Sequence, residues 1–279
     1  MPPSIVLSFS SQVAYGHVGN SATIAALHTL DCTVIDIPTI ILSSHPGHGP
    51  AATIEIPAEK IDQFVDTLAD QGRLDNVAAV ISGYFCAAQQ IVSVRKAVEI
   101  VKSKNPAALN FCDPVIGDTK PGIYVPKPVA QAIKDDLIAI SDFIMPNLFE
   151  FEYLFGHKVT DLHHCIDAAR EHIKTPVLIT SVPVDGATHC GNLLVLPDQA
   201  WLCTSPRLDK VPHGTGDLLT GLFVGNFLTT GSYEMALSNA SGQLNAVLKA
   251  SVAAASDELV LSHLTNIPFP PDFPPAQPV

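Results

Sequence analysis

A short glycine-rich segment near residue 214 has the residue types of an anion-binding turn. Gly214-Thr215-Gly216-Asp217 runs directly into an apolar, helix-forming stretch. Glycine lets a backbone approach a ligand closely, and the unpaired N–H groups at a helix N-terminus attract phosphate or another anion. The segment therefore predicts a site that handles a phosphoryl group. Asp217 could serve that chemistry, or it could only complement the helix dipole from the first turn.

Acidic residues follow two further β-branched runs. Asp113 and Asp118 come after one such run, and Glu150 comes shortly after the next. Two acids at the carboxyl end of a strand suit a hard cation such as Mg²⁺, which proteins usually hold through one or two carboxylates, water and substrate phosphates. Ordinary structure explains the same residues: an Asp-Pro turn at Asp113, and a helix cap in which Asn147 and Glu150 form a capping box.

Two more polar segments could line a small-molecule pocket. Ser11 lies in a segment of hydroxyls and glycines, 10–20, which follows the first strand and leads into a helix. The loop 43–49 is rich in glycine and histidine and suits a mobile lid. Zinc binding by His45 and His48 is disfavoured, because no cysteine or carboxylate stands at ligand spacing nearby. A simple N-cap and turn explains the 10–20 segment equally well.

Composition excludes several classes of protein. The 15 basic residues against 27 acidic ones give a formal net charge of −12, so no basic field exists to hold nucleic acid. No G-x-x-x-x-G-K-[ST] segment occurs, and no G-x-G-x-x-G follows the first strand, which removes Walker-type NTPases and dinucleotide binding. Six scattered cysteines favour free thiols. Without a basic leader or a long apolar stretch, we expect a cytoplasmic protein with no membrane partner.

Strand-like runs alternate with amphipathic helical patterns. The predicted strands are 5–9, 33–37, 77–81, 108–112, 143–145, 177–180 and 193–196. The predicted helices are 58–69, 87–102, 128–139, 149–155, 165–173, one beginning near Asp217 and one over 233–255. This order predicts an α/β fold with a mostly parallel central sheet flanked by helices, in which ligands lie beyond the carboxyl ends of strands.

The domain organisation follows from length and proline content. We expect a single domain over 1–266 and a proline-rich C-terminal tail over 267–279, whose proline density argues against both helix and sheet. Within the first of the two C-terminal helices, Gly221 and Gly225 stand four residues apart. Since glycine weakens a helix, this pair predicts a close helix contact.

Taken together, these segments resemble the pyridoxal kinases of the ribokinase-like superfamily over essentially the whole chain. The resemblance rests on Ser11 with Y-G-H-V-G-N at 15–20, Ser44-His45, Ser82-Gly83-Tyr84, C-D-P-V at 112–115 with Gly117-Asp118, Pro146-Asn147 with Glu150, Thr180-Ser181, and Gly214–Asp217. The G-T-G-D turn is common to the superfamily, whereas Y-G-H-x-G-N and C-D-P-V are more specific to vitamin B6 kinases. The resemblance implies a three-layer ribokinase-like fold.

The resemblance also implies an activity, which is ATP-dependent phosphorylation of the 5′-hydroxyl of pyridoxal in B6 salvage, with pyridoxine and pyridoxamine as further substrates. It implies that backbone amides at Gly214, Thr215 and Gly216 face the moving phosphoryl group and that Asp217 accepts the hydroxyl proton. The other implied roles are substrate binding by Ser11, His45, Tyr84 and Asp217, support of metal and phosphates by Asp113, Asp118 and Glu150, and ATP contacts by Thr180, Ser181, Gly214 and Gly216. ATP, Mg²⁺ and a homodimer are implied, and a monovalent cation such as K⁺ is left open.

Two positions depart from the family pattern, and three different functions compete with the one it implies. Pro46 stands where many members place a threonine after the lid histidine, and Met145 replaces a frequent threonine beside the nucleotide. A hydroxymethylpyrimidine (phosphate) kinase would usually carry cysteine in place of Asp217 and a D-S-S-G-G-A-G segment near the N-terminus. The remaining two competing functions are those of a non-catalytic pyridoxal-binding protein and of a nucleoside or sugar kinase.

Overall fold

A ten-stranded sheet runs through the part of the chain that the computed structural model describes, residues 3–184, 188–208, 210–266 and 273–279. The strands are β1 Ile5–Tyr15, β2 Thr33–Ser44, β3 Thr53–Glu55, β4 Val77–Ser82, β5 Leu109–Cys112, β6 Gly117–Asp118, β7 Gly122–Ile123, β8 Phe143–Ile144, β9 Val177–Val184, β10 His189–Val195, β11 Ala200–Pro206 and β12 Gln277–Pro278. The helices are α1 Asn20–Thr29, α2 Ala58–Asp70, α3 Ala88–Lys104, α4 Lys127–Ala132, α5 Leu148–Phe155, α6 Leu162–His172, α7 Thr215–Thr230 and α8 Tyr233–Ala253.

The sheet has the order β12-β11-β10-β9-β8-β5-β4-β1-β2-β3. Its central strands from β9 to β2 pair in parallel, while β3 at one edge and β10 to β12 at the other pair antiparallel. Strands β6 and β7 form a separate hairpin. Parallel neighbours need crossover connections, and here helices supply them. The predicted α/β fold with a mostly parallel sheet is therefore confirmed.

Helices cover both faces of this sheet. One buried apolar layer combines the sheet with α2 to α6, and a second combines it with α1, α7 and α8. In the second layer, a Cβ added to Gly221 would collide with the Thr23 backbone and with Ala26 of α1, and one added to Gly225 would collide with Leu30. The predicted close contact of these glycines is confirmed, and the partner helix is α1.

Several elements differ from their predicted limits. Strand β1 continues to Tyr15 rather than ending at residue 9, because Ser11 to Tyr15 pair with the equally extended end of β2 after a register shift. The predicted helix 128–139 begins as α4 but then widens to a π turn over Ile133–Leu137 and tightens to a 3-10 turn over Ile138–Ile140. Strands β3, β6, β7 and β11 were not predicted, and the first three of these are only two or three residues long.

The prediction that the C-terminal tail forms no sheet is wrong for its last residues. Gln277 and Pro278 pair with Leu202 and Trp201 at the sheet edge, and Phe273 and Ala276 are buried. Proline is tolerated there because an edge strand needs only one hydrogen-bonded side. Residues 267–272 of the predicted tail lie outside the described residues.

None of the helices in the described ranges is long and apolar enough to cross a membrane. All six cysteines are free thiols, as predicted, and Cys32, Cys112, Cys165 and Cys203 are buried.

Candidate active site

The anion-binding turn lies where the loop after β11 enters α7. Gly214 is the N-cap of α7, with a φ of 84° that disfavours a side chain. A Cβ at this position would also collide with the carbonyl oxygen of His17, so the turn is packed directly against the loop after β1. By contrast, a Cβ on Gly216 would meet open space. The turn is therefore open on the Gly216 side, which leaves room for a ligand beside the N-terminus of α7.

Two carboxylates meet beside this turn. Asp113 follows β5 and is buried, and the Thr220 hydroxyl of α7 donates to its Oδ2 at 2.8 Å. Burial, followed by the charge of Asp217, raises the pKa of Asp113 from 3.8 to about 7. Burial also raises the pKa of Asp217 to about 6, although the Gly19 N–H acts in the opposite direction. The sequence predictions placed both acids here, but they missed Thr220 because a threonine inside a helix carries no distinctive signal.

Glu150 lies next to this pair in the predicted capping box. The Asn147 side chain accepts from the Glu150 N–H, and Glu150 Oε2 accepts from the Asn147 N–H, both at 2.9 Å. The other oxygen, Oε1, accepts the N–H groups of Ile116 and Gly117 at 2.9 and 3.2 Å. Burial and the charge of Asp113 raise the pKa of Glu150 well above its usual value. Glu150 thus joins the start of α5 to the loop after β5.

Asp118 and Tyr124 lie at the outer side of the same loop. Asp118 is exposed, and its Oδ1 accepts the N–H of Thr119 at 2.6 Å. Although 45% of Tyr124 is accessible as a whole residue, the pKa of its phenol is raised, first by burial and then by the charges of Glu150, Asp113, Asp217 and Asp118. The three predicted metal-supporting acids are among these charges. Tyr124 belongs to no motif that the sequence offered.

A divalent cation fits the charge of this site. The described residues contain no group of three or more histidine, cysteine or acidic side chains arranged to hold a metal ion by themselves. Magnesium does not need such a cage, because water and substrate phosphates usually complete its coordination. Asp113 is buried and Asp217 is half-buried, their charges repel each other, and a divalent cation would relieve that repulsion.

The end of β9 has a distorted backbone. Thr180 and Ser181 lie in a bulge, because Gly191 of β10 pairs with Val182 while Leu193 pairs with Ile179. Ser181 has a φ of 63°, which is unusual for a residue with a side chain and is found most often at functional sites. Thr180 pairs with Asn147, at the start of α5. The two predicted nucleotide contacts therefore lie beside the Glu150 cap.

The predicted substrate residues Ser11 and Tyr84 belong to neighbouring parts of the sheet, Ser11 within β1 and Tyr84 just after β4. Ser11 is buried in β1, and its hydroxyl and carbonyl pack against Gly19, whose N–H acts on Asp217. Tyr84 follows β4, and its N–H donates to the Ser10 hydroxyl at 3.1 Å. The two residues are thus connected to the acid pair through the loop between β1 and α1.

His45 belongs to a cluster of three histidines that the sequence did not reveal. Its ring stacks on His213 with centroids 3.9 Å apart, and the His48 ring meets His213 edge-on at 5.8 Å. Burial, then His213 and His48, lower the pKa of His45 to about 4. His213 immediately precedes Gly214, so the predicted lid loop contacts the residue next to the anion-binding turn.

Beside Pro212, which lies just before the turn, a cavity of about 470 Å³ opens between the loop after β11 and the end of α8. Arg207, Lys210, Pro212, Val252 and Asp257 contribute to its wall, and the Asp257 carboxylate also lies 3.9 Å from His48 of the lid loop. The sequence predictions did not single out Arg207 and Lys210, because the antiparallel hairpin that delivers them was only half predicted. Among the described lining residues, two basic side chains against one acidic side chain leave the wall net positive, which suits a polyphosphate.

Comparisons with known proteins agree with this geometry. Residues 15–260 match the model of the phosphomethylpyrimidine kinase family. Pyridoxal kinase PdxY of Deinococcus radiodurans is 36% identical over 270 residues, covering 93% of this chain and 91% of the relative. The corresponding protein of Corynebacterium diphtheriae is 32% identical over 261 residues and 92% of each chain. The structure of Leishmania donovani pyridoxal kinase with ADP and pyridoxine aligns at a TM-score of 0.90 and 26% identity, covering 99% of both chains.

Proposed function

Because this chain belongs to the phosphomethylpyrimidine kinase family and, within it, to the pyridoxal kinases of the ribokinase-like superfamily, we propose that it transfers the γ-phosphoryl group of ATP to the 5′-hydroxyl of pyridoxal. The observation that carries this proposal is the pair formed by the buried Asp113 and the half-buried Asp217 beside the glycine turn at the N-terminus of α7. Phosphoryl transfer depends mainly on positioning and on charge stabilisation, and these groups provide both.

Asp217 is the proposed base. With its pKa raised to about 6, its carboxylate is mostly ionised at neutral pH and remains a competent acceptor of the substrate hydroxyl proton. The N–H groups of Thr215 and Gly216 face the transferring phosphoryl group, while Gly214 supplies the left-handed turn that orients them. Each of these groups acts where negative charge develops in the transition state.

Asp113, Glu150 and Asp118 are the proposed support for Mg²⁺, which would neutralise the triphosphate when bound. Asp113 is the best direct ligand, since among the described residues Thr220 alone is hydrogen-bonded to its carboxylate. Glu150 already accepts three backbone N–H groups and therefore acts chiefly by holding the loop after β5. A monovalent cation such as K⁺ is a further candidate, and activity measured in K⁺ against Na⁺ tests it.

The nucleotide is proposed to follow the carboxyl ends of β8 and β9. Thr180 and Ser181 would lie along it, and the cavity walled by Arg207 and Lys210 would accept its far end. Ser11, His45 and Tyr84 would hold the pyridine ring. The substrates are small-molecule B6 vitamers. Pro46 removes a hydroxyl contact that many relatives have, and kcat/KM measured with pyridoxal, pyridoxine and pyridoxamine tests the preference among them.

Assembly, location and domain organisation are proposals that rest mainly on the family resemblance. A homodimer is supported further by the exposed edge strand β3, where 63% of Ile54 is accessible. Light scattering on the purified protein tests the dimer.

The composition supports a cytoplasmic location, and fractionation of expressing cells tests it. The continuous sheet supports a single domain over 1–266, to which the end of the 267–279 tail adds the edge strand β12.

A hydroxymethylpyrimidine kinase is the second candidate, because the matched family is that of the phosphomethylpyrimidine kinases. Asp217 disfavours this candidate, since those enzymes usually carry cysteine at that position. Purified protein is supplied with ATP and Mg²⁺ and offered pyridoxal or hydroxymethylpyrimidine in parallel. We expect a higher kcat/KM for pyridoxal, and a preference for the pyrimidine would overturn the proposal.

A further inference from the structure

Glu258, which follows α8, contacts two loops of the site, the loop after β1 and the lid loop. Only 8% of this residue is exposed. Its backbone is fixed by Ser256, whose hydroxyl accepts the Glu258 N–H at 3.1 Å and donates to the Glu258 carbonyl at 2.8 Å. Both carboxylate oxygens are then used, each toward a different loop of the site.

The first oxygen holds the loop after β1. Glu258 Oε2 accepts the His17 N–H at 3.0 Å, and the carboxylate fills the space beside Gly16 so closely that a Cβ there would collide with it. The carbonyl of the same His17 lies against Gly214, the N-cap of α7. Glu258 is therefore one residue removed from the anion-binding turn and restrains the backbone on which that turn packs.

The second oxygen holds the lid loop. Glu258 Oε1 lies 2.8 Å from His48 Nε2, whereas the neighbouring Asp257 carboxylate is 3.9 Å from the other nitrogen of that ring and is exposed. The His48 ring in turn packs edge-on against His213. A buried, short contact contributes more than an exposed, long one, so Glu258 is the principal anchor of the lid loop at this end.

We propose that Glu258 is a positioning residue that latches the lid loop over the substrate site and at the same time sets the backbone beneath the phosphoryl-binding turn. One carboxylate would thus join recognition of the B6 vitamer to phosphoryl transfer. This inference rests on the proposed kinase function.

Glu258 makes two contacts, one with His48, called the lid arm, and one with the His17 N–H, called the backbone arm. The two arms predict separable kinetic effects. His48→Ala removes only the lid arm, so KM for pyridoxal rises about three- to tenfold while kcat and KM for ATP change less than about twofold. Glu258→Ala removes both arms, so kcat also falls by about tenfold. Glu258→Gln keeps an oxygen for the His17 N–H and restores most of the kcat. Asp257→Asn, the matched control on the adjacent residue, leaves KM for pyridoxal within about twofold of the parent.

The experiment measures kcat and both KM values for these four variants and for the double variant of His48 and Glu258. Backbone hydrogen exchange at His17 and over the lid loop is measured on the same proteins without substrate. We expect faster exchange at both places in Glu258→Ala, and at the lid loop alone in His48→Ala. The latch is overturned if Glu258→Ala keeps parental kinetics, or if Glu258→Gln is as impaired as Glu258→Ala.

Failure of the latch and failure of the proposed function give different results. If the parent protein phosphorylates pyridoxal and the Glu258 variants behave as it does, the latch is refuted and the proposed kinase function stands. If the parent protein does not phosphorylate pyridoxal, the proposed function is refuted, and hydrogen exchange still reports whether Glu258 holds the two loops. If Glu258→Ala does not fold, the kinetics of His48→Ala and Glu258→Gln decide.

Discussion

Replacing Asp113 by asparagine should stabilise the protein while impairing catalysis. Asp113 is buried, and its pKa is raised to about 7 by burial and by the charge of Asp217. A carboxyl whose pKa is higher in the folded than in the unfolded protein favours folding at low pH and loses that advantage as pH rises through the folded value. At alkaline pH the folded protein therefore carries an unfavourable buried charge. Asparagine removes this charge and can still accept from Thr220.

The size of the effect follows from the two pKa values. A rise in the pKa from 3.8 to about 7 makes Asp113 cost the folded protein about 2 kcal/mol at pH 5, where the carboxyl is protonated in the folded and ionised in the unfolded protein, and about 4 kcal/mol at pH 8, where it is ionised in both. Relaxation around the charge reduces both figures, so we expect Asp113→Asn to gain about 1–3 kcal/mol in free energy of unfolding at pH 8, and clearly less at pH 5.

Urea unfolding at the two pH values, in EDTA and without nucleotide, measures this difference. Asp118→Asn is the matched control, because Asp118 is exposed, and its free energy of unfolding should change little at either pH. A stability gain that does not grow with pH, or an Asp113→Asn protein less stable than the parent at pH 8, would refute the assignment of a strained buried carboxylate.

Three further predictions concern catalysis. Asp217→Asn should lower kcat by about 10²–10⁴-fold and leave pyridoxal binding, measured by direct titration, nearly intact, because a base acts mainly in the transition state; weakened binding with parental kcat would contradict this role. Because Asp217 must be ionised, kcat/KM should fall tenfold per pH unit below about pH 6, and a flat profile down to pH 5 would exclude it as the base. Gly214→Ala should abolish activity and destabilise the fold by more than about 1 kcal/mol, since the left-handed backbone and the His17 carbonyl both oppose a side chain. Its control, Gly231→Ala, has the same backbone strain with open space around it, and should lose stability but keep its activity.

Local motifs were predictable because their signal lies in consecutive residues. Gly214 followed by an apolar stretch predicts a helix N-terminus, and Asn147 with Glu150 predicts a capping box. Both are present in the structure. The spacing of Gly221 and Gly225 predicted a close helix contact correctly. In each case the physical requirement is met within a few residues, so a single sequence is sufficient to state it.

Contacts between distant residues could not be predicted. His17 and Glu258 are 241 positions apart in the chain, and no pattern in the sequence around either residue predicts their hydrogen bond. The same applies to Thr220 and Asp113, which meet only because α7 packs across the end of β5. The edge strand β12 was missed for a different reason. Its prolines argue against sheet in general, and only the position at the edge removes that objection.

The most direct test of the proposed kinase activity is the product formed from ATP, Mg²⁺ and pyridoxal by the purified chain, identified by mass and absorbance. We expect stoichiometric pyridoxal 5′-phosphate and ADP with the parent protein, and almost none with Asp217→Asn. ADP release without phosphorylated pyridoxal, or faster phosphorylation of hydroxymethylpyrimidine, would contradict the proposed activity.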